Sequence, residues 1–315
     1  MLPINTSYNM IDERVGLPLK TDVNGNVLLG TMDFDFDQVM DRIETRHVFS
    51  GEYDVLRRIP YEDLVSQSWL EAEKDEYAKI LNLRHFFCVD SLWEIKLTQQ
   101  VAFRQSKEKN IDQYALAAWL RKGEIESIDI ELPNFCRSKL ENVIPQIRGI
   151  AYEMPDDFFA RFVNVLHGAG VGLIAVKNPK NTAVNGAARK IFGKPIIQMS
   201  IYKRRLDILL FSLFHEIGHI LLHDIDNQGY ISLQKAEKAP DDIDADNFAA
   251  ETLLKSRWFD EFAAKRDFSL SAVNKFSKQM QVHPGIVMGR LEYKKKVHPS
   301  VYAKHHVKLA WGNEQ

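Results

Sequence analysis

The apolar positions in the C-terminal half of the chain predict a small sheet followed by a buried helix. Short apolar runs at Val171–Val176 and Pro195–Ile201 have the length and composition of strands. The polar, glycine-containing segment 181–190 is predicted to connect them. From Leu206 to His223 nearly every position is apolar, which predicts a five-turn helix that is buried on all sides.

The pattern from residue 60 to about residue 150 is helical. Pro60 suits the start of a helix, and segments 92–103 and 111–120 predict two more helices, the second ending just before Gly123. We predict an α+β, mainly helical fold in four regions: an N-terminal arm at 1–59, a helical region at 60–150, a compact domain at 151–295 and a basic tail at 296–315. In the arm, alternating acids and phenylalanines at 33–37 indicate a half-buried strand or an exposed docking segment.

Composition narrows the function class. Lys and Arg number 41 against 43 Asp and Glu in 315 residues, a net charge of −2, so nucleic-acid binding by the whole chain is not expected. We interpret the basic tail as a solvated terminus rather than a phosphate-binding segment. No apolar stretch approaches the ~20 residues that span a bilayer. Two distant cysteines, Cys88 and Cys136, argue against a disulfide scaffold, and we expect a cytoplasmic protein.

The buried helix contains the pattern HExxH at His215–His219. Histidines four residues apart project from one helix face, where both imidazoles can bind one zinc ion. Glu216 lies one step around the helix, where its carboxylate can take a proton from a metal-activated water. The alternative is a pair of core histidines with a neighbouring ion pair, but burying these groups without a metal is costly.

A third protein ligand is needed, and two candidates follow the motif. His223 lies one turn further along the helix and could reach the metal only if the helix broke, so we expect it to cap the C-terminus instead. The segment after Pro240 reads as a second helix, on which Asp242 and Asp246 are about 40° apart on one face. We predict Asp242 as the third ligand and Asp246 as the partner of a ligand imidazole. The alternative is that these acids only favour the helix start.

With these motifs the chain resembles the ImmA/IrrE family of zinc metallopeptidases, particularly the subgroup associated with antitoxin-like or phage-repressor-like regulators. The resemblance rests on His215–His223 and Asp242–Leu254, with support from Lys194–Ser200, His283–Leu291 and Ala117–Glu124. It implies a zincin-like metallopeptidase core at 151–295 that binds Zn²⁺. It also implies metal ligands at His215 and His219 and a catalytic base at Glu216.

Two departures from the family pattern carry expectations of their own. The third ligand of the family is usually Glu, and its position here is Asp242, so the two helices must approach more closely than usual. Residues 1–60 show no helix-turn-helix of the repressor type that the subgroup often carries.

We therefore predict a zinc-dependent endopeptidase that cleaves a partner repressor or antitoxin-like regulator. The alternative is a non-catalytic regulatory binding protein that uses the zinc domain as a scaffold. The substrate chain is expected to pair with the strand near Ile196–Ile201. The candidates for the group that stabilises the oxyanion are Tyr202, Arg204, His223 and Tyr230.

Overall fold

The computed structural model describes residues 47–48, 50–95, 112–225, 229–233 and 239–311. Within these ranges the chain is α+β and mainly helical, with one four-stranded mixed sheet, so the predicted fold class is confirmed at this level. The predicted acidic-aromatic segment 33–37 lies outside the described residues. The described chain divides into two compact units.

The first unit contains the described residues up to Ile130, with Val176–Ala183 and Ile191–Gly193. Its helices are α1 (Ser50–Leu56), α2 (Tyr61–Ser66), α3 (Glu76–Phe87) and α4 (Gln113–Ser127), with a 3₁₀ turn at Leu92–Glu94. The predicted helix start after Pro60 is confirmed. In the core of this unit, Arg84 donates hydrogen bonds from Nε and Nη2 to the Glu52 carboxylate at 3.1 and 2.6 Å, and both side chains are fully buried.

Two helix predictions in this unit need correction. Helix α4 does not end before Gly123 but continues to Ser127, whose hydroxyl donates to the Gly123 carbonyl at 2.6 Å. The apolar side chain of Ile125 packs against the core and Ile128 is buried, so the helix gains by continuing. The helix predicted at 92–103 is a single 3₁₀ turn at its start, and residues 96–111 lie outside the described chain.

The second unit contains Glu131–Ala175, Val184–Lys190 and the described residues from Lys194 onward. Its elements are α5 (Arg137–Glu153), α6 (Phe158–Gly168), β1 (Gly172–Ala175), β2 (Val184–Ile191), β3 (Lys194–Met199), α7 (Leu206–Leu222), β4 (Tyr230–Leu233), α8 (Pro240–Leu253), α9 (Ser256–Ala264), α10 (Leu270–Met280) and α11 (Pro284–Tyr293), with 3₁₀ turns at Tyr202–Arg204 and Pro299–Val301. The predicted boundary between residues 150 and 151 falls inside α5, and the four-region division stays a prediction.

The sheet has the strand order β1-β3-β2-β4. Strand β1 is parallel to β3, with Gly172 opposite Ile196, and β2 is antiparallel to β4. Phe192 and Gly193 join β2 to β3 with positive φ at both residues, which suits a two-residue hairpin turn. The predicted strands near Val171–Val176 and Pro195–Ile201 are confirmed. The prediction of a polar connection at 181–190 is wrong, because most of it is strand β2.

Helix α7 forms the centre of the second unit, and the predicted buried helix is confirmed. Leu210, Phe214 and Ile217 have no exposed surface, and they pack into a core contributed by the sheet and by the surrounding helices. The same helix also buries Asp207, Glu216 and its histidines. Polar groups in such a position must be satisfied by specific partners.

At the start of α7, oppositely charged groups satisfy one another. Arg205 donates to both Asp207 oxygens, Nε to Oδ1 at 3.0 Å and Nη2 to Oδ2 at 2.6 Å, and also to Glu292 Oε2 at 2.9 Å. His306 Nε2 lies 2.7 Å from Glu292 Oε1, and its Nδ1 lies 3.5 Å from Asp207 Oδ1. We call these four residues the start cluster.

Part of the predicted basic tail is hydrogen-bonded to the backbone next to the start cluster. The backbone N–H of Leu206 donates to the Val307 carbonyl at 3.0 Å, and Leu309 N–H donates to the Arg204 carbonyl at 2.8 Å. Tyr302 is almost fully buried and donates its hydroxyl to the Phe268 carbonyl at 2.7 Å. This corrects the expectation of a wholly solvated terminus, because Tyr302 and His306 are buried, whereas Lys304, Val307 and Lys308 are exposed.

Candidate metal centre

The two histidines of the HExxH pattern meet on one face of α7. Their Nε2 atoms lie 3.0 Å apart, and their rings cross edge to face with centroids 4.6 Å apart. His219 has no exposed surface and His215 is 6% exposed. The one-turn spacing therefore brings both ring nitrogens to a single point inside the protein, as the sequence indicates.

Asp242 in the first turn of α8 faces the same point. Its Oδ1 lies 3.6 Å from His219 Nε2, while its Oδ2 accepts the backbone N–H of Ala239 at 3.0 Å. One ligand atom from each of His215, His219 and Asp242 lies within 4.8 Å of the other two. The helix start holds one carboxylate oxygen, so the other is fixed in direction toward the imidazoles.

Asp246, one turn after Asp242, takes the position predicted for it. Its Oδ1 lies 2.8 Å from His215 Nδ1. A carboxylate in this position accepts the Nδ1–H, which leaves the Nε2 of the neutral ring with a lone pair. Asp244 and Glu251, on the other side of α8, are exposed. The geometry agrees with the predicted roles of Asp242 and Asp246, which stay predictions.

The side chains of His215, His219 and Asp242 are suitable ligands for a divalent cation. With Nδ1 protonated on both rings, the two Nε2 atoms and Asp242 Oδ1 are three acceptors that converge. Two neutral imidazoles and one carboxylate are ligand types that zinc accepts, with a fourth position for water in catalytic sites. Burial lowers the pKa of His219 to about 4, a direction that the Asp242 carboxylate opposes. The ring is therefore neutral at pH 7 and can offer its lone pair.

Glu216 lies against strand β2, with no exposed surface. A Cβ on Gly186 would meet Glu216 Oε1 at 2.6 Å, so the carboxylate occupies the space of a missing side chain. Burial raises the pKa of Glu216 to about 7, although His215 and the nearby Ser232 hydroxyl act in the opposite direction. A carboxylate with this pKa can accept and return a proton near neutral pH.

Gly218 explains how the two helices approach each other. A Cβ at this position would lie 3.1 Å from Phe248 Cδ1, 3.2 Å from Ala245 Cα and 3.4 Å from Ala245 Cβ. Glycine therefore lets α8 pack directly on α7. A close approach of the two helices is needed if the carboxylate ligand is Asp242, because Asp is shorter than the usual Glu.

Two residues, Tyr230 and His223, contact the His219 ring in ways that the sequence did not predict. The Tyr230 ring of β4 stacks on the His219 ring, with centroids 4.3 Å apart and planes 14° apart, and its hydroxyl donates to Asp241 Oδ2 at 3.1 Å. His223 is the C-cap residue of α7, as predicted, with extended backbone angles, φ −124° and ψ 165°. Its Nδ1 also lies 3.0 Å from His219 Nδ1, a contact that was not predicted.

These positions affect the candidates for oxyanion stabilisation. The Tyr230 hydroxyl is bonded to Asp241, and His223 contacts the far side of His219 from the acceptor atoms. Arg204 lies in the exposed 3₁₀ turn before α7, and the side chain of Tyr202 is outside the described part of the structure. The choice among the four candidates stays open.

The predicted substrate-pairing strand needs correction. Strand β3, which contains most of Ile196–Ile201, lies inside the sheet between β1 and β2, so both of its edges are already paired. An additional chain can pair only with a free edge. In the described sheet, β4 is the edge strand beside α7, and it carries Tyr230.

Comparison of the chain with models of known protein families and with curated proteins gives no match. Among the described helices, none combines the length and apolar character needed to cross a bilayer. The function therefore has to be argued from the site itself.

Proposed function

We propose that the chain is a zinc-dependent endopeptidase that cleaves a partner protein. The observation that carries the proposal is the convergence of His215, His219 and Asp242 around one point. Glu216 lies next to His215 on the helix that carries both histidines. The resemblance of these motifs to ImmA/IrrE metallopeptidases supports it. A repressor or antitoxin-like regulator is the proposed substrate class.

In this proposal His215, His219 and Asp242 hold the metal. Bound Zn²⁺ supplies a Lewis acid that polarises the scissile carbonyl and makes water more acidic. Glu216 takes the proton of the attacking water and returns it to the leaving amine nitrogen. Asp246 keeps the His215 ring in the tautomer that presents Nε2.

The burial of the site has a consequence for turnover. Glu216 and His219 have no exposed surface, and Tyr230 of β4 covers the His219 ring. Under this proposal, groups around Glu216 and His219 must move before a substrate carbonyl can reach them.

The same burial favours a second candidate function. Structural zinc sites are closed, whereas catalytic sites keep one position open to water and substrate. A non-catalytic regulatory binding protein, with the metal domain as a scaffold, is consistent with fully buried Glu216. The two functions differ in whether Glu216 is needed for chemistry.

Glu216→Gln separates the two functions. Wild type and variant, both as full-length chain loaded with zinc, are incubated with a proteome-derived peptide library, and new N-termini are mapped by mass spectrometry. We expect cleavage by wild type and a loss of about 10²–10⁴-fold in the variant, because the general base is removed. Zinc content is measured on the same samples, and it should be equal.

Cleavage that is identical in both samples would contradict the assignment of Glu216. If wild type retains zinc and cleaves nothing, including the co-expressed product of a neighbouring gene, the result supports the scaffold function. His305→Ala is the matched control, since His305 is exposed and belongs neither to the start cluster nor to the candidate metal site.

A further inference from the structure

His219 has an outer partner that differs from that of His215. Metal-binding histidines usually donate their second N–H to a carboxylate, a backbone carbonyl or water. His215 follows this pattern with Asp246 at 2.8 Å. The corresponding atom of His219, Nδ1, instead lies 3.0 Å from Nδ1 of a third imidazole, His223.

Two neighbours lie beside the His223 ring. Its Nε2 lies 3.9 Å from Asp241 Oδ1, a distance for electrostatic attraction rather than a hydrogen bond. The ring is tilted against Tyr230 at 5.2 Å, and the Tyr230 hydroxyl donates to the other oxygen of Asp241. Asp241, Tyr230 and His219 thus all lie next to the His223 ring.

We infer that His223, which lies beside Asp241 and Tyr230, is a positioning residue that accepts the Nδ1–H of His219 and so turns the His219 Nε2 lone pair toward the metal. This inference rests on the proposed metal site. It deepens that proposal by assigning His223 a role other than ligand, helix cap or oxyanion donor.

The proton positions balance in both states of the site. In the metal-free chain, His223 Nδ1–H donates to His219 Nδ1, and His219 Nε2–H donates to His215 Nε2 across 3.0 Å. When the metal binds, the His219 proton resides on Nδ1 and is accepted by His223 Nδ1. The His223 proton then resides on Nε2, facing Asp241. His223 Nδ1 passes its proton directly to His219 Nδ1, the Nε2 proton of His219 leaves to solvent and His223 Nε2 takes one up, so each ring keeps one proton and the pair releases none in net.

The backbone supports this role. His223 has non-helical angles directly after Leu222, and its N–H still bonds to the His219 carbonyl at 3.1 Å. In a continued helix His223 would also lie one turn from His219, so the four-residue spacing brings the two rings together and the extended backbone sets the direction of the His223 ring.

The test compares two substitutions of similar shape, His223→Asn and His223→Leu. Asparagine offers an oxygen near the place of Nδ1, whereas leucine offers only methyl groups there. Zinc affinity of the full-length chain is measured by competition with a chromophoric chelator, with His305→Leu as the control for the loss of an exposed histidine. We expect His223→Leu to weaken zinc binding by about 10–100-fold and His223→Asn by much less.

A second readout reports the tautomer directly. Imidazole ¹⁵N shifts of the zinc-loaded chain should show His219 protonated on Nδ1 in wild type, and on Nε2 in the metal-free chain. A purely structural role of His223 would instead give equal losses of zinc affinity in His223→Asn and His223→Leu, because both remove the ring.

The outcomes separate this inference from the proposed function. Equal zinc affinity in wild type and His223→Leu, or an equal loss in both variants, would overturn the inference alone. A wild-type chain that takes up no zinc would overturn the proposed function and the inference together. Should His223→Leu fail to fold, an affinity of His223→Asn reduced as much as that of an Asp246→Ala variant would overturn it.

Discussion

The two ends of helix α7 bury polar groups in opposite ways. In the start cluster, the Arg205 guanidinium lies between the carboxylates of Asp207 and Glu292, so donors meet acceptors. Toward the other end, the ring nitrogens of His215 and His219 face each other and an Asp242 oxygen. Complementary charges of the chain complete the first cluster, whereas a cation from solution completes the second under the proposed function.

The largest expected effect comes from removing the metal. A ligand that binds only the folded state, present at 1,000 times its Kd, raises the free energy of unfolding by about 4 kcal/mol. We expect this difference between zinc-loaded and chelator-treated wild type in denaturant titrations. The shift should largely disappear in Asp242→Asn, because one of the three converging acceptors is lost. A variant with the full shift would contradict the role of Asp242.

Breaking the start cluster should give the next largest effect, independent of zinc. Arg205→Met leaves the buried carboxylates of Asp207 and Glu292 without their guanidinium, which should cost about 3 kcal/mol of unfolding free energy. The same loss is expected with zinc and with chelator. The control is Arg137→Met, which removes an exposed pair with Glu141 and should cost about 0.5 kcal/mol or less. Equal losses in the two variants would contradict the stabilising role of the start cluster.

Gly218→Ala tests the metal-site end of α7 by changing the spacing between α7 and α8 without removing a polar group. The added methyl would press on Phe248 and Ala245 of α8, which must give by a few tenths of an ångström, and we expect this shift to reach Asp242 on the same helix. We expect a loss of about 1–2 kcal/mol in chemical denaturation and a weaker zinc affinity. In the matched control Gly149→Ala the new methyl meets nothing within 4 Å inside α5, and a gain of about 0.5–1 kcal/mol is expected. If both variants were stabilised, the close packing of α8 on α7 would be refuted.

The smallest expected effect concerns the C-terminal segment. His306→Ala removes the contact with Glu292 and should lower the free energy of unfolding by about 1 kcal/mol. His305→Ala, at the exposed neighbouring position, should change it by less than about 0.5 kcal/mol. Thermal melts of both variants with and without zinc would check the difference. No difference between them would argue against a structural contribution of this segment.

The sequence predicted the elements with clear periodicity and chemistry. The apolar run after Leu206 predicted helix α7, and the one-turn spacing of its histidines predicted their shared face. The shared helix face of Asp242 and Asp246 was also predictable from their spacing. These features depend on local geometry, which a single segment determines by itself.

Two missed features depend on contacts between distant segments. Gly186 and its polar neighbours indicated a loop, yet they lie in strand β2, where the glycine makes room for Glu216. The position of Tyr230 over His219 depends on how β4 joins the edge of the sheet. No local pattern encodes these two contacts. His223 caps helix α7 as expected, and the four-residue spacing could have indicated its contact with the His219 ring.

The most direct test of the account is the zinc content of the purified full-length chain. The chain is stripped with a chelator, reconstituted with zinc, dialysed and analysed by elemental mass spectrometry, beside His219→Ala and Asp242→Asn. The account predicts one zinc ion per wild-type chain and a large loss in both variants. Wild type with no bound zinc, or variants that bind as much as wild type, would contradict it.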